Sequence, residues 1–172
     1  MENSELINLL LFDWVKLEPD IIKDYCRQLS PKLLRWLGAH HPDNKTRLLF
    51  FEMTNISIGK ETVINANFIV SDDFKPLLVI GDRVAISPNV TIICSSGPNN
   101  SLLNNTVYVK ENIICHKQVI IENDVWIGAN VTILPGVTVG EKSIIGAGAV
   151  INCNIDPNTI YAGNPAKLIR KL

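Results

Sequence analysis

Isoleucine or valine recurs at every sixth position through most of this chain: Ile58, Ile64 and Val70; Ile80, Ile86 and Ile92; then Ile121, Ile127, Ile133, Val139, Ile145 and Ile151. A helix returns its apolar stripe about every 3.6 residues, and a half-buried strand alternates at every second residue. Neither gives this pattern. The period fits a coil of very short strands, each turning one aliphatic side chain inward, with three such units closing one turn. Stacked turns place the inward residues in columns, which favours β-branched Ile and Val. Small, polar and turn-forming residues lie between them, as in IGDRVA, IGANVT and IGAGAV. Val84, Val90, Val125, Val131 and Val137 mark a second apolar position four residues after the first. Val125 and Val131 read as outward-facing residues that need cover from a neighbour.

The register breaks around FKPL at 74–77 and again from Ser95 to Gln118. A long irregular loop leaving a rigid scaffold is commonly functional. Before the repeats, the pattern is helical. Leu6, Leu9, Leu10 and Trp14 form one stripe, and Pro19-Asp20 opens a second segment with Ile21, Ile22, Tyr25 and Leu29 on its apolar face. Ser30-Pro31 is a cap followed by a favoured first helical residue. Leu33, Leu34, Trp36 and Leu37 follow, Gly38 reads as the stop, and AHHPDNKT reads as a polar connector. The expected division is a helical segment over 1–45, a mainly β coil over 46–162 with the loop 95–118 protruding, and a tail over 163–172.

The chain has 172 residues, 47% of them hydrophobic, so it can bury a core. Its net charge of −1 carries no electrostatic footprint for nucleic acid or an acidic membrane surface. No apolar run reaches the about 18 residues of a membrane span. The stretch MENSELINLLLFDW lacks the basic start and small-residue cleavage site of a secretory leader. Cys26, Cys94, Cys115 and Cys153 form no CxxC pair, lie among apolar neighbours and read as buried thiols in a reducing cytoplasm.

Taken together, INANFIVSDD, IGDRVAISPNVTI, VWIGANVTILPGVTVG, IIGAGAV and AGNPAKLIR resemble the hexapeptide-repeat acyltransferases, in particular the maltose and galactoside O-acetyltransferase group. The resemblance covers about residues 45–172. It implies a left-handed parallel β-helix, a homotrimer with sites between neighbouring subunits, acetyl-CoA as acyl donor without a metal, and a sugar or glycan precursor as acceptor. It implies acceptor contacts from Asn65, Asp73 and Ile114. It implies acetyl-CoA contacts from Trp126, Ala129, Ala147, Lys167 and Arg170, the last two toward phosphates. Asn152-Cys153 stand where the family has Thr-Lys.

In the family a histidine takes the proton of the acceptor hydroxyl, a poor nucleophile until then. By count from the preceding hexads, that position is Gly97. The histidines present are His40, His41 and His116. His40 and His41 read as a solvated pair in the connector. His116, near the end of the long loop, is either the base, if the loop folds back, or an exposed loop residue without a role. Cys115 beside it points the other way in an extended segment, and Cys94 reads as a packed thiol. Three readings of function stay open: an O-acetyltransferase, an N-acetyltransferase on an amino sugar, and a trimeric binding scaffold without catalysis. A zinc enzyme on the same coil needs three converging histidines, and two of the three lie outside the repeats.

Overall fold

The computed structural model describes residue 8 and residues 19–172. The stripe Leu6, Leu9, Leu10 and Trp14 lies outside the described residues. Three short helices precede the repeats: α1 (Pro19–Cys26), α2 (Pro31–His40) and α3 (Asn44–Glu52). Ser30 caps α2 by accepting from the Leu33 N–H, with Pro31 at the first helical position. Asp43 caps α3, accepting from the Thr46 N–H at 2.8 Å. Burial of Ile22, Cys26, Leu34, Leu37 and Phe50 joins the three helices.

Three local expectations are corrected here. Gly38 does not end α2, which runs on to His40. Glycine serves packing instead: a Cβ there would sit 3.0 Å from the Phe51 ring. The stretch read as a polar connector supplies the cap and first turns of α3, so the helical segment continues to Glu52. Within it His41 is fully buried, its ring edge-on to Phe50, rather than solvated. Arg47 is buried too, and it donates to the carbonyls of His41, Pro42 and Ile64. Those bonds tie α3 to the first coil.

From Ser57 the protein is mainly β. The first coil contains β1 (Ser57–Ile58), β2 (Val63–Ile64) and β3 (Ile69–Ser71), and the second β4 (Leu78–Ile80), β5 (Ala85–Ile86) and β6 (Thr91–Ile93). The loop begins and ends in β7 (Ser95–Ser96) and β8 (Cys115–His116). The third coil has β9 (Val119–Ile121), β10 (Trp126–Ile127) and β11 (Thr132–Ile133), and the fourth β12 (Thr138–Val139), β13 (Ile144–Ile145) and β14 (Val150–Ile151). Successive strands go to successive sheets, so three parallel sheets form, ordered β1-β4-β9-β12, β2-β5-β10-β13 and β3-β6-β11-β14. The second sheet continues through β15 (Thr159–Ala162), and β16 (Lys167–Lys171) folds back antiparallel on β15.

The twelve repeat positions fall into three columns of four. Ile58, Ile80, Ile121 and Val139 are directly paired. So are Ile64, Ile86, Ile127 and Ile145, and Val70, Ile92, Ile133 and Ile151. Val84, Val90, Val125, Val131 and Val137 are buried as well. Val125 and Val131 therefore point inward, against expectation: each hexad commits two side chains to the core. The apolar residues that do face outward include Val63, Ile69 and Trp126.

The corners are made by residues that accept left-handed backbone. Asn67, Asn89 and Asn130 have φ of 59°, 62° and 59°, and Gly148 takes 72° at the equivalent place. At one corner only glycine fits, since a Cβ on Gly128 would lie 2.6 Å from the Ala147 nitrogen. Among the described residues no helix is long and apolar enough to cross a membrane.

Truncation should separate the two faces of one sheet. Ile127→Ala, in the middle of a buried column, is expected to cost about 2–5 kcal/mol. Val63→Ala on the outer face should fall within about 0.5 kcal/mol of wild type. Urea unfolding of both variants followed by circular dichroism checks this.

Candidate active site

The long loop leaves the coil at Ser95 and returns at His116, where the two residues pair directly across an antiparallel ribbon; Ser96 pairs with Cys115. Between them lie a 3-10 turn at Leu102–Asn105, capped by the Ser101 side chain, and a short helix α4 (Val107–Asn112). Beneath the ribbon is a cleft of about 580 Å³. Ser71, Thr91 and Ile93 of the third sheet form its floor, and Ser95, Gly97, Ile114 and His116 line it from the ribbon. Asn99 and Asn104 reach it from the loop, and Asp73 from the break between the first two coils.

Asp73 is held by its neighbours. Both Asp73 and Phe74 have left-handed backbone, at φ 52° and 57°. Asp72 turns inward and is 2% exposed, paired with Arg35 of α2 at 2.8 Å. Arg35 also donates to the carbonyls of Thr54 and Val70 and to the Thr54 hydroxyl, and its guanidinium lies 5.4 Å over the Phe74 ring. With Asp72 locked inside, Asp73 projects outward into the cleft. A buried charge left without its partner is costly, so this pair fixes the turn firmly.

Three polar groups converge there. Ser95 Oγ donates to Asp73 Oδ2 at 2.5 Å and lies 2.8 Å from His116 Nδ1. The same His116 nitrogen is 3.4 Å from Asp73 Oδ2. His116 and Asp73 are about half exposed, so both are open to a ligand. An imidazole beside a carboxylate and a hydroxyl, at the wall of an open cleft, suits proton transfer. Gly97 lies on the same ribbon without left-handed backbone, and a Cβ there would meet only Ile114, at 3.8 and 3.9 Å. Nothing in its surroundings requires glycine.

Asp73, Ile114 and His116 are thus brought to one cleft. Ser95 was not singled out from the sequence. The available signal was its spacing: two residues before Gly97 in an extended strand, it shares that residue's face. The remaining predicted residues are elsewhere on the chain. Asn65 sits at a corner of the first coil, its amide donating to the Ile86 carbonyl at 2.9 Å. Trp126 is exposed on β10. Ala129 and Ala147 occupy neighbouring corners of the third and fourth coils, joined by the Gly148 N–H donating to the Ala129 carbonyl. Lys167 and Arg170 are exposed on β16, opposite Ala162 and Ile160. None of these five lines the cleft of its own chain, nor does Asn65.

The other candidates for proton or acyl chemistry fall away. His40 stacks on Trp36 and bonds its carbonyl at 2.8 Å, away from the cleft. Cys94 is fully buried and donates to the Leu77 carbonyl; burial pushes its thiol up to about 11. Among the described residues no three His, Cys, Asp or Glu side chains are placed to hold a metal ion.

The bacterial transferase hexapeptide family (six repeats) matches over residues 118–153. A galactoside O-acetyltransferase of Escherichia coli is 39% identical over 119 residues, covering 69% of this chain and 55% of that protein. The chain spans 55–60% of the length of this and two further curated relatives. Among solved structures, a galactoside acetyltransferase in complex with coenzyme A superposes with a TM-score of 0.65 at 34% identity, covering 82% of this chain and 78% of that one. A hexapeptide-repeat acetyltransferase of Vibrio cholerae, complexed with acetyl coenzyme A, has a TM-score of 0.65 at 26% identity and covers 100% of this chain and 99% of that one.

Of the four cysteines read as buried, only Cys26 and Cys94 are; Cys115 is half-buried and Cys153 exposed, and the difference has a direct readout. Cys26 and Cys94, each pushed up to about 11 by burial, should react with a thiol reagent at pH 8 on the order of a hundredfold more slowly than Cys153, which is exposed. Timed labelling followed by peptide mass spectrometry measures the four rates.

Proposed function

This chain belongs to the hexapeptide-repeat acetyltransferases, and on that footing we propose that it transfers the acetyl group of acetyl-CoA to a hydroxyl of a sugar or glycan precursor. The convergence of His116, Ser95 and Asp73 on the cleft carries the reading. A coil that served only as a scaffold has no need of an imidazole, a hydroxyl and a carboxylate gathered around an open cavity. The relatives named as galactoside acetyltransferases, and the complexes with coenzyme A and acetyl coenzyme A, support both donor and acceptor class.

The three-sided parallel coil is read as the left-handed β-helix of the family, and the protein as a homotrimer. Two features support the trimer. The outer faces carry exposed Ile69 and Trp126, which a neighbouring coil would cover. The cleft lies against the third sheet, whereas Trp126, Lys167 and Arg170 belong to the second. A site holding both ends of the reaction is then assembled from two subunits. Lys167 and Arg170 are exposed cations suited to the phosphates of the donor. Ala129 and Ala147 leave a smooth corner for its pantetheine arm. The free thiols fit a cytoplasmic setting.

The chemistry asks little else of the chain. In this reading Gly97 occupies the position that the family gives to its base, and His116 does the work. Its imidazole takes the proton of the acceptor hydroxyl as the oxygen attacks the thioester carbonyl. The C–S bond breaks as the C–O bond is made, and the proton passes to the departing thiolate. Asp73, Asn99 and Asn104 offer hydrogen-bonding groups to a polyhydroxylated acceptor from the cleft wall.

Calorimetric titration with acetyl-CoA, with CoA as the control, should give saturable binding near one per chain. His116→Ala should retain that binding and lose on the order of 10²–10⁴-fold in turnover with a sugar acceptor. Absence of binding would remove the transferase reading, and unchanged turnover would remove His116 as the base.

A further inference from the structure

Ser95 is the member of the polar cluster that neither the family resemblance nor the proposed chemistry gives a role. A serine hydroxyl has a single proton to give and two lone pairs to offer. The 2.5 Å bond to Asp73 Oδ2 uses that proton, since a carboxylate only accepts. Toward His116 Nδ1, 2.8 Å away, Ser95 Oγ therefore presents a lone pair. Asp73 Oδ2, 3.4 Å from the same nitrogen, is an acceptor too. Both neighbours of Nδ1 are satisfied only if Nδ1 carries the hydrogen. The neutral ring then has its lone pair on Nε2, which has no hydrogen-bond partner among the described residues.

We propose that Ser95 and Asp73 are positioning residues that hold His116 as its Nδ1–H tautomer, leaving Nε2 free to take a proton in the cleft. This rests on reading His116 as the base, and it gives Asp73 a task besides acceptor binding: Oδ2 serves the base, while Oδ1 remains for a ligand. A base with its proton on the wrong nitrogen is a poor one even when perfectly placed.

The ribbon shows why position 116 suits this task. Ser95 and His116 are a direct pair. Continuing the antiparallel register puts Gly97 opposite Ile114, in keeping with the 3.8 Å approach of a Cβ at 97 to the Ile114 side chain. Residues 95, 97, 114 and 116 thus share one face of the ribbon, and all four line the cleft. An imidazole carried on 116 rather than 97 stays on that face and moves one step toward the coil. A Cβ at 97 has only apolar Ile114 atoms within 4 Å, while 116 adjoins a hydroxyl and a carboxylate. Only the second position comes with groups that select a tautomer.

The test uses the 172-residue chain with ¹⁵N-labelled histidine. With three histidines in the chain, the His116→Ala spectrum identifies the His116 signals. Two-bond nitrogen–proton correlations, recorded where the imidazole is neutral, should show the Nδ1–H pattern in the wild type. In Ser95→Ala they should shift toward Nε2–H, and in Ser95→Thr, which keeps the hydroxyl, they should stay as in the wild type. Turnover should follow: Ser95→Ala loses on the order of tenfold to hundredfold in kcat with KM for acetyl-CoA little changed, and Ser95→Thr recovers most of it. An Nε2–H pattern in the wild type, or a Ser95→Ala variant with the wild-type tautomer, overturns the proposal. Because the spectrum is read without substrate, it judges Ser95 even if the transferase reading itself fails on acetyl-CoA binding.

Discussion

Every strand of the four coils is two or three residues long. No such strand holds itself together, so each depends on the one stacked above or below it in strict register. Vertical stacking of identical short units is the constraint from which the rest follows. It demands β-branched side chains at the paired positions, because these are stacked on one another without a long strand to stagger them. It demands a corner every few residues, and left-handed Asn67, Asn89 and Asn130 supply three of them in one column. It also demands a second inward residue per hexad, since one aliphatic column per sheet leaves the interior under-filled.

A scaffold so regular has few places to put chemistry, and the candidate site uses the two where regularity is given up. At the first break, the buried Arg35–Asp72 pair spends a charge inside the protein to set the turn that exposes Asp73. At the second, the ribbon at the root of the long loop places Ser95 and His116 against that carboxylate. Helix α2 thus reaches the site indirectly, through Arg35. The N-terminal segment is accordingly part of what shapes the cleft.

The columns were legible in the sequence because period and residue type reinforce each other: all twelve positions read as repeats are paired in the coil. The inward direction of Val125 and Val131 was not, since a residue four places after the first inward one has no obligatory face until the corner between them is known. Gly38 carries the ordinary signal of a helix end, and only the Phe51 ring against it explains why the helix continues. His41 was read as one of a solvated pair, yet it is buried, and the Phe50 ring against it comes from tertiary packing. In the site, likeness pointed to Asp73 and Ile114, while it put the base at Gly97 and left His116 open. The Ser95–Asp73 bond joins residues 22 apart, across coils, and no local pattern announces it.

The ribbon also sets what can change freely. His116 is fastened at the root of the loop, in direct pairing with Ser95, whereas Asn99 and Asn104 stand farther out along it. Insertions, deletions or exchanges between residues 99 and 112 would alter the wall that greets an acceptor without disturbing the imidazole or its two neighbours. On the proposed function, proton chemistry and acceptor choice would in this way be uncoupled within a single loop. A base carried farther along the same arm would have to be re-aimed with each such change. If His116 is the base, its anchorage would let the same core be refitted to a new acceptor by editing its rim alone.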